Sequence, residues 1–368
     1  MSYVSIPWNL AEKFVIDAFC GYGVPDADAR ICADVLLESD RRGIESHGLN
    51  RFKPIYIDRI KDKIQNPVTK FEIVKEGPTV AVVDGHDGMG QVIGKRSMQI
   101  AIDKAKKLGM GMVAVRNSTH YGIAGYYSSM ASQAGCIGIT GTNARPSIAP
   151  TFGVENMLGT NPLTFGIPTD EPFDFSLDCA TSIVQRGKIE LWARKGVSPP
   201  SGTVITEDGA TLTDAEEILA ALIKGSAALA PLGGIGEELA GYKGFGYSTV
   251  VEILSAALQN GSYLKQLQGI DADGNKHPFH LGHFFIAIDA EAFIPIDAFR
   301  KITGDILRAL RNSKKAPGQD RIYTAGEKEY LARLEREKTG VPVSDGVQKE
   351  LLTIRDELGL TQYRFPFE

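Results

Sequence analysis

Between residues 71 and 289 the chain alternates short apolar runs of strand length with amphipathic runs of helical length, and on either side of this block the apolar period is helical. That order restricts the chain to an α/β protein whose central sheet is covered by helices. FEIVKEG (71–77) and TVAVVDG (79–85) read as strands around a Gly-Pro turn, 94–109 as an amphipathic helix and 111–118 as a buried strand. Helix 123–135, strands at 136–143, 162–169 and 175–182, an apolar helix over 247–261 and a strand at 283–289 complete the block. Helical segments at 8–23, 25–43 and 49–63 precede it, the last interrupted by Pro54; segments at 296–313, 327–340 and 344–359 come after it. A length of 368 residues allows two domains, taken as an α/β domain over 72–294 and a helical domain made of 1–71 and 295–368 packed together. The charged stretch 327–338 reads as a solvated helix face.

Composition bounds the function. Hydrophobic residues make up 43% and charged residues 23%, as in ordinary globular chains. The 45 acidic and 40 basic residues are mixed, with no basic block to suit a nucleic acid. The N-terminal residues do not form a signal peptide, and no run reaches the roughly 18 apolar residues of a membrane span. The four cysteines form no CxxC pair, so the expectation is a reduced, cytoplasmic protein in which Cys136 and Cys179 are small buried core residues.

The segment Glu45-Ser46-His47-Gly48-Leu49-Asn50-Arg51 is the most informative chemically. A helix starting near Ser46 puts His47 and Arg51 on one face. An imidazole beside a guanidinium suits a 2-hydroxy or 2-oxo acid: arginine grips the carboxylate as a fork and histidine exchanges a proton with the C2 oxygen. Ser46 would cap the helix or orient the ring. The plain alternative is a helix cap with a surface histidine and arginine. Arg116 to Gly122, with His120, lies at the carboxyl end of a strand, where α/β proteins place ligands, and is either a second half of the site or an ordinary loop.

Two glycine-rich stretches bear on cofactors. Gly88 to Gly94 has the spacing GxGxxxG, one residue longer than the dinucleotide fingerprint, and a tight turn into a helix explains it equally well. GYKGFG (241–246), leading into a helix at 247, offers backbone amides, a helix N-terminus and Lys243 to a phosphate; a glycine-rich turn is the alternative. His277, His280 and His283 are spaced so that an extended chain points them apart, which speaks against a metal site.

The segments ESHGLNRF (45–52), RNSTHYGIAGYY (116–127), GTNPLTFGIP (159–168), LDCATSIVQRGK (177–188), GYKGFG (241–246) and AGEKE (325–329) resemble, in order and over nearly the whole chain, the second-type malate/L-lactate dehydrogenase family. This family is distinct from the Rossmann-type lactate and malate dehydrogenases. The resemblance implies a non-Rossmann α/β fold with a large mixed, mainly antiparallel sheet, a homodimer, and NAD or NADP as cofactor. It also implies hydride transfer on a small 2-oxo or 2-hydroxy acid. Malate/oxaloacetate is the first substrate to try; lactate, ureidoglycolate, diketogulonate and cyclic imino acids are the alternatives. By position it makes His47 and His120 candidates for the proton step, with Ser46 beside them, Arg51 the carboxylate arginine and Thr160 a substrate contact. Asp178, Cys179, Ala180, Thr181, Ser182, Ile183 and Val184, then Tyr242 and Lys243, then Gly326 and Glu327, match cofactor-contact segments. Relative to common members the chain carries an extra residue between Arg51 and Tyr56, which withholds a substrate role from Tyr56. The reading of another class is a dinucleotide- or metal-binding protein without turnover.

Overall fold

A strand followed by a long amphipathic helix and a second strand forms a parallel crossover, and the computed structural model, which describes residues 3–368, has one such unit at its centre. The elements before it are β1 (Tyr3–Ile6), α1 (Trp8–Gly21), α2 (Asp26–Arg41), α3 (Asp58–Lys61) and β2 (Glu72–Glu76). The unit itself is β3 (Val80–Asp84), α4 (Gly90–Leu108) and β4 (Met110–Ser118). After it come α5 (Gly125–Gln133), β5 (Cys136–Thr142), β6 (Leu163–Ile167), β7 (Phe175–Cys179), α6 (Arg186–Lys195), β8 (Val204–Thr206), α7 (Ala215–Lys224) and β9 (Ala227–Leu229). The chain ends with α8 (Gly241–Ala256), β10 (Leu281–Asp289), α9 (Ile296–Arg311), α10 (Glu327–Thr339), β11 (Val341–Ser344) and α11 (Asp345–Leu358).

Seven strands form the main sheet in the order β2-β3-β4-β10-β5-β6-β7. Only β3 and β4 pair in parallel; every other neighbouring pair is antiparallel. The sheet is therefore mixed and mainly antiparallel, without the parallel order of a Rossmann domain. Strand β10 is wedged between β4 and β5, with Phe285 opposite Val113 and Thr140. Helices α4 and α5 cover one face. There Gly111 lets α4 approach so closely that a Cβ would stand 2.2 Å from the Ala101 carbonyl, and Gly166 does the same for α5 at Ser128 (2.3 Å). Alternation turns Gly282 to the opposite face, where the Ser255 carbonyl of α8 leaves no room for a side chain.

The two ends of the chain meet. Strands β1 and β11 pair antiparallel, and one apolar core runs from Ile6, Phe14 and Phe19 through Leu36 and Tyr56 to Val341, Leu351 and Phe365. Helix α10 has the solvated face that its charge suggested, with Lys328, Glu335, Glu337 and Lys338 exposed, and its other side is tied down. Its Arg333 and Arg336 pair with Glu38 of α2 and with Glu45, and Trp8 Nε1 donates to the Arg336 carbonyl at 2.7 Å. Helix α9 attaches elsewhere, with Arg308 and Arg311 on Glu171. Between β7 and α8, β8 and β9 pair and, with α6 and α7, enclose a separate small core around Ile189, Val204, Ile218 and Leu229. Cys136 is buried as expected, whereas Cys179 is exposed, because β7 is the outer strand of the sheet. Among the described residues no helix is long and apolar enough to cross a membrane.

Candidate active site

The segment carrying His47 is fixed from below by a buried carboxylate. Asp40, near the end of α2, is only 2% exposed, and its Oδ2 accepts the Leu49 N–H at 2.9 Å. A Cβ on Gly48 would stand 2.1 Å from that carboxylate, so the turn requires glycine. Burial raises Asp40 to about 7. Above it, no helix starts at Ser46: residues 45–48 form a turn, Leu49–Arg51 a short 3-10 turn, and Phe52–Ile57 a π-turn leading into α3. His47 and Arg51 are brought together by this turn and not by a helix face. Arg51 Nε donates to the Ser46 carbonyl at 2.7 Å, and Ser46 Oγ lies 2.9 Å from His47 Nδ1.

A π-turn, Phe52–Ile57, lies where the sequence reading expects an extra residue. A π-turn closes over one residue more than an α-turn, so it absorbs an insertion without rotating the residues beyond it. Pro54, which has no N–H to give, lies inside it. The hydroxyl of Tyr56, from which the sequence reading withholds a substrate role, reaches His120 Nδ1 at 2.7 Å and so lies beside the candidate histidine.

His120 leaves the end of β4 on a segment gripped by the Gly88–Gly94 stretch. Gly90 N–H donates to Thr119 Oγ1 (3.0 Å), which donates to the Gly88 carbonyl (2.7 Å). A Cβ on Gly90 would strike the Thr119 and His120 carbonyls at 2.4 and 2.5 Å. These glycines serve close packing beneath His120. The His47 and His120 rings lie nearly parallel, with centroids 5.8 Å apart. His120 Nδ1 receives the Gly122 N–H (3.3 Å), so it is an acceptor, and the neutral ring keeps its proton on Nε2. Burial, then Arg51, pushes His47 down to about 4; burial, then His47, Arg59 and Arg51, holds His120 well below the ordinary imidazole value. Both rings are neutral at neutral pH.

Arg59 and Arg145 join this cluster and were not singled out in the sequence. Arg59 sits three residues after Tyr56, with its guanidinium 4.3 Å over the Phe279 ring. Burial, and then Arg145 and Arg51, lowers it to about 10. Its signal was the helical spacing from Tyr56, which only the π-turn makes meaningful. Of the three histidines, His277 and His280 stack with ring centroids 6.2 Å apart, His277 Nδ1 facing the Pro278 carbonyl and His280 Nδ1 lying 2.9 Å from Asp87, while His283, on β10, is buried against Thr142 and stacked on Tyr121.

The remaining candidates lie along and beyond β7. The Asp178 carboxylate is committed to Gly125 N–H (2.8 Å) and Thr164 Oγ1 (3.1 Å). Thr181 N–H donates to the Thr160 carbonyl at 3.0 Å, which ties Thr160 to this segment, and Ile183 N–H donates to Ala230. Leu232 N–H donates to the Thr181 carbonyl, and the first turn of α8 rests on Leu232, where a Cβ on Gly244 would be 2.2 Å from its carbonyl. The 178–184 segment and Tyr242–Lys243 thus share one neighbourhood. The helix begins at Gly241, so GYKGFG forms its first turns and not a loop before 247. Gly326, at φ +91°, lies against Asp174 and Ser176 near the start of β7. Glu327 is buried on Arg321, with Arg311 3.9 Å away.

Two neutral imidazoles beside guanidinium groups, at the end of a non-Rossmann mixed sheet, form the candidate site, an arrangement chemically suited to proton exchange on a small anion. The model of the malate/L-lactate dehydrogenase family matches residues 6–352, and the chain belongs to that family. It is similar to the malate dehydrogenase of Pyrococcus horikoshii, at 42% identity over 98% of this chain and 97% of that one. The L-sulfolactate dehydrogenase of Methanocaldococcus jannaschii is 39% identical over 95% and 96%. Among solved structures, the malate dehydrogenase of Entamoeba histolytica superposes with a TM-score of 0.93 at 44% identity, covering 97% of this chain and 99% of that one.

Proposed function

We propose that the protein is an NAD(P)-dependent malate dehydrogenase, interconverting malate and oxaloacetate. The observation that carries this is the paired neutral imidazoles of His47 and His120 beside Arg51. Support for the cofactor comes from the region around β7. Ser182 Oγ and Asn161 Oδ1 are buried without a hydrogen-bond partner among the described residues, and the first turn of α8 holds Lys243 and no acidic residue. These features fit an anionic dinucleotide held by the 178–184 segment, Tyr242 and Lys243, with Gly326, packed closely on Asp174 and Ser176, and Glu327 beyond the start of β7. The nicotinamide, when bound, supplies or takes up the hydride at the substrate's C2.

The chain's own residues do the rest. Arg51 grips the C1 carboxylate, and Ser46, through its carbonyl, aims the guanidinium. His120 keeps its Nε2 proton and donates a hydrogen bond to the C2 oxygen, with Tyr56 and Gly122 holding the tautomer. His47 then serves as the group that moves the proton: neutral, it accepts from the malate hydroxyl. In reduction the proton runs the other way, from His47 to the C2 oxygen, and a carboxylate on Arg51 offsets the smaller of the two effects, after burial, that lower the ring. Thr160 lines the substrate's side of the cofactor segment.

We further propose that 1–71 and 295–368 form the substrate and dimer side, that 72–294 binds the cofactor, and that the protein is a cytoplasmic homodimer. Ile302, Ile306 and Leu310 of α9, in the 295–368 part, are about half exposed, which supports a covered face there. The test is loss of NADH absorbance with oxaloacetate, repeated with NADPH and with pyruvate, alongside sedimentation. The expected outcome is rapid turnover of oxaloacetate, with the cofactor ratio selecting NAD or NADP, and a mass twice that of the chain. His47→Ala should lose about 10²- to 10⁴-fold in turnover. Normal turnover by that variant would refute the proton role.

A further inference from the structure

Arg51, Arg59 and Arg145 have no carboxylate partner among the described residues. Several arginines elsewhere in the chain are paired: Arg116 on Asp84, Arg308 and Arg311 on Glu171, Arg333 on Glu38, Arg336 on Glu45. Arg51 accounts for one anionic group of the substrate. Arg59 is a second cation in the same cluster. It is half-buried, carried on α3 one turn beyond Tyr56, and braced by its stack on Phe279. The loop holding Phe279 is itself anchored. Gly282 N–H donates to Asn143 Oδ1 at 2.8 Å, and Arg145 lies two residues after that asparagine.

Guanidinium groups facing one cluster without a counter-charge repel one another, and the arrangement is relieved when an anion enters. A monocarboxylate satisfies Arg51 alone. We infer that Arg59 binds the anionic group at the far end of the substrate from C1, and so selects 2-oxo and 2-hydroxy acids that carry a second negative charge. This rests on the dehydrogenase reading and deepens it. Arg59 holds the distal group; Phe279 holds Arg59. The planar fork is suited to a carboxylate or a sulfonate, and an ammonium in its place would keep the charge and lose the two-point grip.

The experiment compares Arg59→Leu and Arg59→Lys with the wild type, using oxaloacetate and pyruvate as substrates and succinate and propionate as inhibitors. Losing a charge-assisted carboxylate contact should lower the oxaloacetate-over-pyruvate ratio of kcat/KM about 30-fold or more in Arg59→Leu, chiefly through KM. The inhibition constant for succinate should rise in step, that for propionate should move little, and Arg59→Lys should fall in between. Equal losses for both substrates and both inhibitors would assign Arg59 a structural role and overturn this inference alone. Absence of wild-type turnover with either acid would overturn the dehydrogenase reading, and this inference with it.

Discussion

The imidazole of His47 sets the pH behaviour of the site. Its folded value is pushed down by burial and by Arg51 to about 4, so the ring is neutral above that pH. Oxidation of malate needs the neutral ring as base. Activity is therefore present above the lowered value and lost as pH falls through it. The expected profile of kcat/KM for malate is flat from alkaline pH down to about 5, with its acid limb well below the ordinary imidazole value near 6.5. A limb at 6.5 or higher would mean that Arg51 and burial do not act on the proton-transfer group. His120 contributes no limb in this range, because its Nδ1 faces an N–H and it is used as a neutral donor. At this scale the candidate site was legible as a set of candidates: residue type and order, with the family resemblance, marked His47, Arg51 and His120. It was not legible where a partner is distant. Asp40, nine residues before Leu49, carries no motif, and Arg59 has meaning only once Tyr56 is placed.

The π-turn at Phe52–Ile57 is the element that joins the two halves of the site. It holds one residue in excess, so deleting the exposed Pro54 should relax it to an α-turn while leaving Arg51 and Tyr56 in place. The expected result is a folded enzyme with Tm within about 5 °C of the wild type and kcat within about threefold. Loss of the Tyr56 contact, seen as a large fall in kcat, would show that the turn is required and not merely tolerated. Sequence period found most strands and helices of the main sheet because their apolar faces repeat over several residues. It could not find the turn type, since proline announces a break and not its geometry. It missed β8 and β9, which span three residues each, too short for a period to register. It could not place β10, whose pairing with β4 and β5 is non-local, nor tell that β7 is the outer strand, which is why Cys179 was assigned to the interior.

For the whole molecule, the two chain ends form one structure, and the His47 turn hangs from it. Arg336 of α10 pairs with Glu45, donates to the Asp40 carbonyl at 2.7 Å, and has its own carbonyl held by Trp8. Arg336→Ala touches no substrate, yet it should lower kcat/KM for oxaloacetate about 10- to 100-fold by loosening the turn, with affinity for NADH unchanged in fluorescence titration. An unchanged kcat/KM would show that Asp40 and Gly48 fix the turn unaided. The pairing of β1 with β11 has a consequence in time as well as in space. During synthesis the catalytic histidine and its arginine emerge early, but the strand that closes their domain and the arginine that braces their turn come some three hundred residues later. The nascent chain can form its central sheet while still on the ribosome. It becomes an enzyme only when its last segment returns to its first.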